Sequence, residues 1–197
     1  MELLEAMKSR RSRYALSDVS PISDARIEEI LKELAPLVPS AFNSQSARMV
    51  LLLGEKHAKL WSIVMETLRS KVAPDKFPPT EEKINGFAAA HGTILFFEEM
   101  DTVEKLQKDF PNYAENFAAW SQQANGMLQY AVWTTLAAEG LGASLQHYNP
   151  IIDDQVKGAF SIPKSWKLLA QMPFGKATAE EDPKEKMPAG ERVLVKR

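Results

Sequence analysis

The stretch GTILFF, residues 92–97, decides the fold class because it joins high strand propensity to an unbroken apolar run. A second run, MVLLL at residues 49–53, has the same character and predicts a buried central strand. Two further strands are predicted over residues 143–148 and 166–174, the latter ending at Gly175. Since helical periodicity separates these segments, we expect an α+β fold with helices on both sides of a small mixed sheet.

Helices are predicted wherever apolar residues recur at intervals of three and four. The clearest one begins at Ser23, a predicted N-cap, and its apolar pattern stops at Pro36. Asp101 and Glu104 stand at the spacing of a capping box before another helix. The remaining helices are predicted around Leu3, Leu4 and Met7, over residues 60–68, around Ile84 and Phe87, from about 116 to 139, where Gly140 and Gly142 end the helix, and over 151–160.

Composition excludes several classes of protein and site. The 197 residues are 45% hydrophobic and 25% charged, which is typical of a single globular domain spanning residues 1–197. The formal net charge of -2 supplies no global field for nucleic acid or an anionic membrane, so neither is predicted as a partner. The chain has no cysteine, which excludes disulfides, thiol nucleophiles and iron–sulfur clusters.

The histidines predict no metal site, and the N-terminus predicts no targeting signal. His57, His91 and His147 show no metal-ligand spacing with carboxylates, so no metal site is predicted. We expect His57 to lie solvated on a helix and His91 on a turn. Acidic residues stand where a signal peptide carries basic ones, and no apolar run approaches the ~20 residues of a membrane span. A cytoplasmic location is the resulting expectation.

The familiar catalytic and nucleotide motifs are absent from the sequence. Residues 140–145 (GLGASL) begin like a dinucleotide-binding fingerprint, but they follow a predicted helix and lack the third glycine. No phosphate-binding glycine–lysine loop and no nucleophile elbow occur. The apolar stripe at residues 193–195 is too short to fold alone, and we expect it on a sheet edge of its own or a partner chain.

Four polar segments remain as candidates for a binding site. The cluster RRSR at residues 10–13 has arginines that match phosphate oxygens, although a solvated helix end is the more common explanation of such a cluster taken alone. The amides at residues 43–45 (NSQ) suit a heterocycle edge or sugar hydroxyls, or form a turn. Residues 146–148 (QHY) follow a strand, where ligands of layered α/β proteins bind, or simply end it. Arg192 by itself is a lone tail cation.

Together these segments resemble the nitroreductase family of flavoenzymes, and in particular its fatty-acid-repression-mutant-type subgroup. The resemblance is carried by RRSRY (10–14), PSAFNSQ (39–45), GLGASLQHYNP (140–150) and GERV (190–193). It implies a nitroreductase-like three-layer arrangement and a homodimer that binds FMN at the subunit interface.

The resemblance also implies roles for individual residues. Arg10 and Ser12, with neighbouring Arg11 and the tail residue Arg192, would hold the phosphate and ribityl chain of FMN. Asn43 and Gln45 would contact the ring or the ribityl edge. The backbone of Gln146, His147 and Tyr148 would face flavin N5 and O4. No side chain is predicted to be catalytic, because flavin N5 carries the chemistry.

Several positions depart from the wider family pattern. The strand end reads Leu145-Gln146-His147-Tyr148 where many members carry Pro-x-Glu-Gly, and Tyr14 stands where many carry a basic residue. Ser46-Ala47 follows Asn-Ser-Gln where many members carry Pro-Trp, and the subgroup shares all three of these changes. Gly190 stands near a common tail lysine, whose contact is either absent or supplied by Lys186.

The implied function is an FMN-dependent NAD(P)H oxidoreductase that reduces nitroaromatic or quinone-type acceptors by ping-pong hydride transfer, with NADH or NADPH as reductant. The alternatives are a flavin-binding regulatory protein linked to lipid or stress response, with incidental reductase activity, and a cofactor-free interaction domain. Four aromatic residues either form a lid over the flavin ring or pack as ordinary core and helix residues: Phe110, Tyr113, Phe117 and Trp120.

Overall fold

The computed structural model describes residues 2–197, which form eight α-helices, three short 3-10 turns and one five-stranded sheet. The helices are α1 (Leu3–Ser9), α2 (Asp24–Leu37), α3 (Gly54–Arg69), α4 (Pro78–Ala88), α5 (Met100–Asp109), α6 (Ala114–Ala138), α7 (Asp153–Phe160) and α8 (Ala189–Arg192). The strands are β1 (Leu16–Ser17), β2 (Ala47–Leu53), β3 (Gly92–Glu99), β4 (Gly142–Ala143) and β5 (Trp166–Ala177). The 3-10 turns are Ala41–Asn43, Pro74–Lys76 and Pro111–Tyr113.

The sheet has the order β1-β5-β3-β2, and β4 pairs with β5 beside this path. All pairings between these strands are antiparallel. The mixed character that we expected is confined to one parallel bridge, between Ser12 and Ala143. Helices cover the sheet, so the predicted α+β class is confirmed.

The centre of the sheet is β3, and β2 lies at its edge. β3 pairs with β2 on one side and with β5 on the other, and its residues 92–98 are buried. The prediction that residues 49–53 form a buried central strand was wrong, because most residues of β2 are half-buried and its second edge pairs with no described residue. An apolar run indicates that the faces of a strand are covered, but it carries no information about the strand's edges.

Helix boundaries follow the sequence with two corrections. The Ser23 hydroxyl accepts from the Arg26 N–H at 3.2 Å and caps α2 as predicted. Pro36 does not stop α2, which continues to Leu37, because a proline in the last turn removes a hydrogen bond without preventing one further helical residue. The predicted capping box at Asp101 is absent, since α5 begins one residue earlier and Glu99 accepts from the Asp101 N–H.

Two apolar clusters lie on opposite faces of the sheet, because alternate residues of a strand point to opposite sides. The α6-side core contains Ile94 and Phe96 of β3 with helix residues such as Ile27 and Leu128. The α3-side core contains Leu95 and Phe97 of β3, with these helix residues: Leu60, Trp61, Val64, Ile84, Phe87 and Val156.

His57 is buried in contact with the α3-side core, so the expectation that it is solvated was wrong. Its Nδ1 lies 2.9 Å from Thr93 Oγ1 and its Nε2 lies 3.1 Å from the Ala88 carbonyl oxygen. His57 precedes Trp61 by four residues and therefore lies on the same face of α3, toward the sheet. Burial lowers the pKa of His57, and the hydrogen bond to the Ala88 carbonyl oxygen opposes this decrease.

The expected strand at residues 143–148 is much shorter than predicted. β4 ends at Ala143, and only an isolated bridge between Gln146 and Gln171 continues the pairing with β5. No helix of the described chain is both long enough and apolar enough to span a membrane. Over the same residues, no three acidic or histidine side chains gather as a metal-binding group.

Candidate functional site

A cavity of about 410 Å³ lies where the end of α1 meets α6 and the C-terminal tail. It brings together three of the predicted site residues, Arg10, Arg11 and Ser12. The other lining residues are Leu4, Met7, Lys8, Tyr130, Lys184 and Lys186. Five of these side chains are cationic, and none of the described lining residues is acidic, so the cavity suits an anion.

Arg10 is held in place by aromatic residues of α6. Its guanidinium lies over the Trp133 ring, 4.4 Å from the centroid, and 5.8 Å from the centroid of Tyr130. Its Nε is buried and has no hydrogen-bond partner among residues 2–197. Because an unpaired buried donor is costly, Arg10 is ready to donate to an anion in the cavity.

Acidic and carbonyl groups of the tail fix the neighbouring arginines. Arg11 donates to the Asp182 carbonyl oxygen at 2.8 Å, and Arg13 pairs with Glu180 at 3.1 Å. The Tyr14 N–H donates to the Glu181 carboxylate at 3.1 Å. These contacts lay residues 180–182 beside the arginine cluster, and they thereby bring the following lysines to the cavity.

The tail supplies lysines to the cavity, and Arg192 lies close by. Lys186 lines both this cavity and a second one of about 480 Å³, which Arg192 also lines. The structure therefore places Arg192 near the cationic cavity without placing it inside. Lys184 was missed from the sequence, although its spacing of two from Lys186 in an extended tail was a usable signal.

The strand-end segment lies directly beside the arginine cluster. The Ala143 carbonyl oxygen accepts from the Arg13 N–H at 2.9 Å and from Trp133 Nε1 at 3.2 Å. Gly142 permits this close approach, because a Cβ at that position would lie 3.0 Å from the Arg13 Cβ. These contacts fix Gly142 and Ala143, which precede residues 146–148 in the chain, beside Arg13.

The side chains of residues 146–148 point in different directions. Gln146 is buried and donates to the Ser144 hydroxyl at 3.1 Å. The Tyr148 ring packs edge-on against Trp61, with centroids 6.0 Å apart, and burial raises the pKa of Tyr148 to about 12. His147 is exposed. The backbone and the His147 side chain are therefore the groups that this segment can offer to a ligand.

Asn43 and Gln45 do not join the Arg10 cavity within one chain. Both are exposed and adopt positive φ angles, 52° and 47°. Gln45 lines a different cavity, of about 860 Å³, between α2, β2 and α6. The cavity lined by Gln45 contains none of the arginine cluster, and the cavity around Arg10 contains neither Asn43 nor Gln45.

The loop before β2 rests on a buried carboxyl group that sequence patterns did not indicate. Glu98 is buried and accepts from Asn125 Nδ2 at 3.0 Å. Burial raises the pKa of Glu98, although hydrogen bonds from Ser46 and Asn125 oppose this change. Ser46 ends the candidate loop, so Glu98 and Asn125 support it from beneath.

The four predicted lid residues form one aromatic cluster, and Phe42 completes it. Phe42 stacks on Trp120 at 6.0 Å with an interplanar angle of 18°. Its ring also lies near the other cluster members, 4.8 Å from Phe110, 5.8 Å from Tyr113 and 5.2 Å from Phe117. Phe117 is buried, whereas Phe42, Phe110 and Tyr113 are exposed. The cluster is thus part core and part open surface.

Phe42 holds a backbone conformation that bulky residues rarely adopt. Its φ of 55° lies in the left-handed region, and such strain is concentrated at binding sites. Phe42 and Trp120 line a cavity of about 390 Å³ beside the Asn43–Gln45 loop. Sequence periodicity cannot identify Phe42, because it lies in an irregular loop.

Comparison with known proteins gives consistent results. The model of the Nitroreductase family matches residues 7–176. The Saccharomyces cerevisiae protein HBN1 is 34% identical over 195 residues, which cover 98% of this chain and 93% of that protein. The nitroreductase FRM2 of the same yeast is 34% identical over 184 residues, covering 89% of this chain and 88% of the relative.

Solved structures agree with this result. Nitroreductase CinD from Lactococcus lactis, in complex with chloramphenicol, matches with a TM-score of 0.90 at 40% identity over 100% of both chains. The complex of the same enzyme with 4-nitrophenol matches with a TM-score of 0.89, again at 40% identity over 100% of both chains.

Proposed function

Because this chain belongs to the nitroreductase family and is an FMN-dependent oxidoreductase of the nitroreductase type, we propose that it reduces small nitroaromatic or quinone-type acceptors with NADH or NADPH. The observation that carries this proposal is the cationic cavity around the buried, unpaired Nε of Arg10. When bound, FMN supplies hydride transfer at N5 in two alternating half-reactions. The chain itself then needs no nucleophile.

The cavity fits the phosphate end of FMN. Arginine forks and lysine ammonium groups bind phosphate, and a hydroxyl adds one more donor. We assign phosphate binding to Arg10, Ser12 and Lys186, and Arg192 lies close enough to join them from the tail. Arg11 already donates to Asp182, so its main contribution is to hold the tail against the cavity.

The ring end of FMN would meet residues 146–148. This segment follows Ala143, whose carbonyl oxygen accepts from the Arg13 N–H, and the packed side chains of Gln146 and Tyr148 leave mainly backbone groups available. Backbone N–H groups are fixed donors, and they stabilise negative charge without reorganisation. This arrangement supports the assignment of Gln146, His147 and Tyr148 to the ring.

A second copy of the chain would complete the site. Asn43 and Gln45 lie in a separate part of the same chain, so their proposed contacts to FMN come from a partner in a homodimer. Exposed apolar side chains on α1 and α6 favour such an assembly, since Leu3, Leu4, Met127 and Tyr130 are all accessible to solvent.

The C-terminal stripe supplies a second argument for the dimer. Val193, Leu194 and Val195 are exposed and form no strand in their own chain, so the option that they pair with their own sheet is excluded. β2 presents an edge without a partner among the described residues. We propose that the stripe of one copy lies along β2 of the other, where backbone hydrogen bonds would pair both edges.

The aromatic cluster around Phe42 supports an aromatic acceptor. Its exposed rings offer stacking surfaces next to the Asn43–Gln45 loop. CinD, a structural neighbour at 40% identity, was solved with 4-nitrophenol and with chloramphenicol. We therefore propose small nitroaromatic compounds as the first acceptors to assay. The single domain and the cytoplasmic location stay predictions.

The test is the visible spectrum of the purified protein before and after NADH is added without oxygen. We expect a flavin absorbance that bleaches with NADH or NADPH and returns when 4-nitrophenol or a quinone is added. A protein that stays colourless in excess FMN would contradict the proposal.

Steady-state turnover separates an enzyme from a regulator. We expect NAD(P)H oxidation to saturate with the acceptor and to give the parallel reciprocal plots of a ping-pong mechanism. A flavin-binding regulatory protein would show slow oxidation that does not saturate.

A further inference from the structure

Gln171 is a fully buried amide that contacts the proposed ring-binding segment and has no assigned role. It lies on β5, opposite Leu95 of β3, and its exposed fraction is 0%. A buried carboxamide must find hydrogen-bond partners, because leaving a donor or acceptor unpaired costs free energy. Those partners show what the residue does.

The backbone of Gln171 ends the pairing between β5 and the strand-end segment. The Gln146 N–H donates to the Gln171 carbonyl oxygen at 2.7 Å, and the Gln171 N–H donates back to the Gln146 carbonyl oxygen at 2.9 Å. In a regular antiparallel ladder the next pair would join Tyr148 to residue 169. That pair does not form, so the segment leaves the sheet after Gln146.

Beyond the last backbone pair, the side chain of Gln171 forms hydrogen bonds with the next residues of the segment. Its Oε1 accepts from the Tyr148 N–H at 2.8 Å, and its Nε2 donates to Asn149 Oδ1 at 3.3 Å. One residue thus holds three successive points of the segment, at Gln146, Tyr148 and Asn149.

These hydrogen bonds from Gln171 determine which backbone N–H of the segment stays available to a ligand. In an extended segment successive N–H groups point to opposite sides. Those of Gln146 and Tyr148 are both directed to Gln171, and the N–H of His147 between them has no acceptor among residues 2–197. His147 is also the exposed residue of the three.

We infer that Gln171 is a positioning residue of the flavin site, whose buried carboxamide presents the His147 N–H to the isoalloxazine ring of FMN. This inference rests on the proposed FMN site. It also explains why Tyr148 does not pair with residue 169, since the Gln171 side chain accepts the hydrogen bond from the Tyr148 N–H instead. Gln171 itself touches neither FMN nor the acceptor.

The first experiment measures amide hydrogen exchange in the wild-type protein, with and without FMN. We expect FMN to slow exchange at His147. The Gln146 amide is the internal reference, because its hydrogen bond within the sheet protects it in both states. If FMN binds and His147 exchange does not change, the inference is wrong and the proposed function stands.

The second experiment compares variants by the Kd for FMN, read from quenching of flavin fluorescence. Gln171→Met keeps the length and apolar packing but frees the Tyr148 N–H, so we expect the Kd to rise about tenfold and Tyr148 exchange to accelerate. Gln171→Glu keeps an acceptor for that N–H and should restore most of the affinity. An unchanged Kd in Gln171→Met would overturn the inference.

Thr93→Val is the matched control. Thr93 is a buried polar residue of the neighbouring strand that contacts His57 and Trp61 but not residues 146–149. We expect this variant to lose stability while its Kd for FMN stays at the wild-type value. Should Gln171→Met fail to fold, the exchange experiment on the wild type still tests whether the His147 N–H is presented to FMN. If the wild type binds no FMN, both the proposed function and this inference are wrong.

Discussion

The two faces of the sheet are built from the same strands, but one is covered by a closed core and the other carries cavities and exposed apolar residues. The α3-side core is closed by its own chain, and the buried Trp61 Nε1 within it donates to Thr93 at 3.0 Å. The α6 side carries cavities of about 860 and 410 Å³, exposed apolar residues and the buried, unpaired Nε of Arg10.

This difference separates stability from binding. Apolar residues that are enclosed in a core have no group to offer a ligand, so the residues of the α3-side core contribute mainly to folding. The open face leaves donors and apolar surface for a cofactor and a second chain. Substitutions in the apolar core of the α3 side should therefore reduce stability, and those at the cavities and exposed rings of the α6 side should reduce binding.

The largest effect is expected for Trp61→Ala on the closed face. Trp61 is 1% exposed, packs 5.0 Å from the Phe87 ring and donates to Thr93. Its removal leaves a large cavity and takes one of the two hydrogen bonds of the Thr93 hydroxyl away, so the free energy of unfolding should fall by about 3–5 kcal/mol. Urea unfolding measures this loss. A decrease below about 1 kcal/mol would contradict the view that this face carries the stability.

Arg10→Gln should produce the next largest effect, on cofactor binding. Loss of a charge-assisted contact of about 1.5–3 kcal/mol should raise the Kd for FMN about 10- to 100-fold, with a small change in stability. Flavin fluorescence gives the Kd. Arg69→Gln is the matched control, since Arg69 pairs with Glu81 at 2.6 Å on the α3 side. If both variants bind FMN equally well, the assignment of Arg10 is wrong.

Trp120→Ala distinguishes an aromatic lid from ordinary helix packing. Because Trp120 stacks on Phe42, we expect the KM for a nitroaromatic acceptor to rise about fivefold, by about 1 kcal/mol, while the KM for NADH stays constant. The loss of stability should be smaller than in Trp61→Ala, since Trp120 is only half-buried. A variant that unfolds without any change in acceptor selectivity would reject the lid.

The smallest effects concern two histidines on opposite sides, whose pKa values shift in opposite directions. Burial lowers the pKa of His57 below its ordinary value of 6.5. Its stabilising contribution is therefore present above pH 6.5 and is lost as the pH falls below it, because the unfolded state then binds the proton first.

His91 behaves in the opposite way. Desolvation alone would lower its pKa, but hydrogen bonds to the Asp18 carbonyl oxygen and to Asp24, both at 2.7 Å, raise it. Its contribution is present below pH 6.5 and is lost as the pH rises through the raised pKa. Urea midpoints across pH 5 to 8 should show His91→Gln losing stability mainly on the acidic side. A uniform loss at every pH would refute the charged state of His91.

Local patterns predicted most of the elements correctly. The core strand at residues 92–97, the helix cap at Ser23 and the end of the long helix just before Gly140 all follow from propensity, periodicity and capping, which act over a few residues. The family was also recognisable, because short polar segments such as RRSRY keep their order and spacing in the sequence.

The sequence-based predictions were wrong where residues far apart in the chain determine how a side chain or strand is buried and paired. His57 carries no local sign that Thr93 and Ala88 will enclose it. Residues 49–53 are as apolar as a central strand, and only the strand order shows that they form an edge. Beyond Gln146 the chain leaves β5, and the side chain that binds the Tyr148 N–H there belongs to Gln171, which is 23 residues further along the sequence.

The sequence by itself therefore determined the elements, their apolar faces and the residue types available to hold an anion, since these properties depend on near neighbours along the chain. Tertiary structure alone decided which edge stays open, which lysines reach Arg10 and which backbone donor is left unshared. The physical reason is that burial and hydrogen-bond pairing are settled by residues far apart in sequence, which meet only when the helices pack on the sheet.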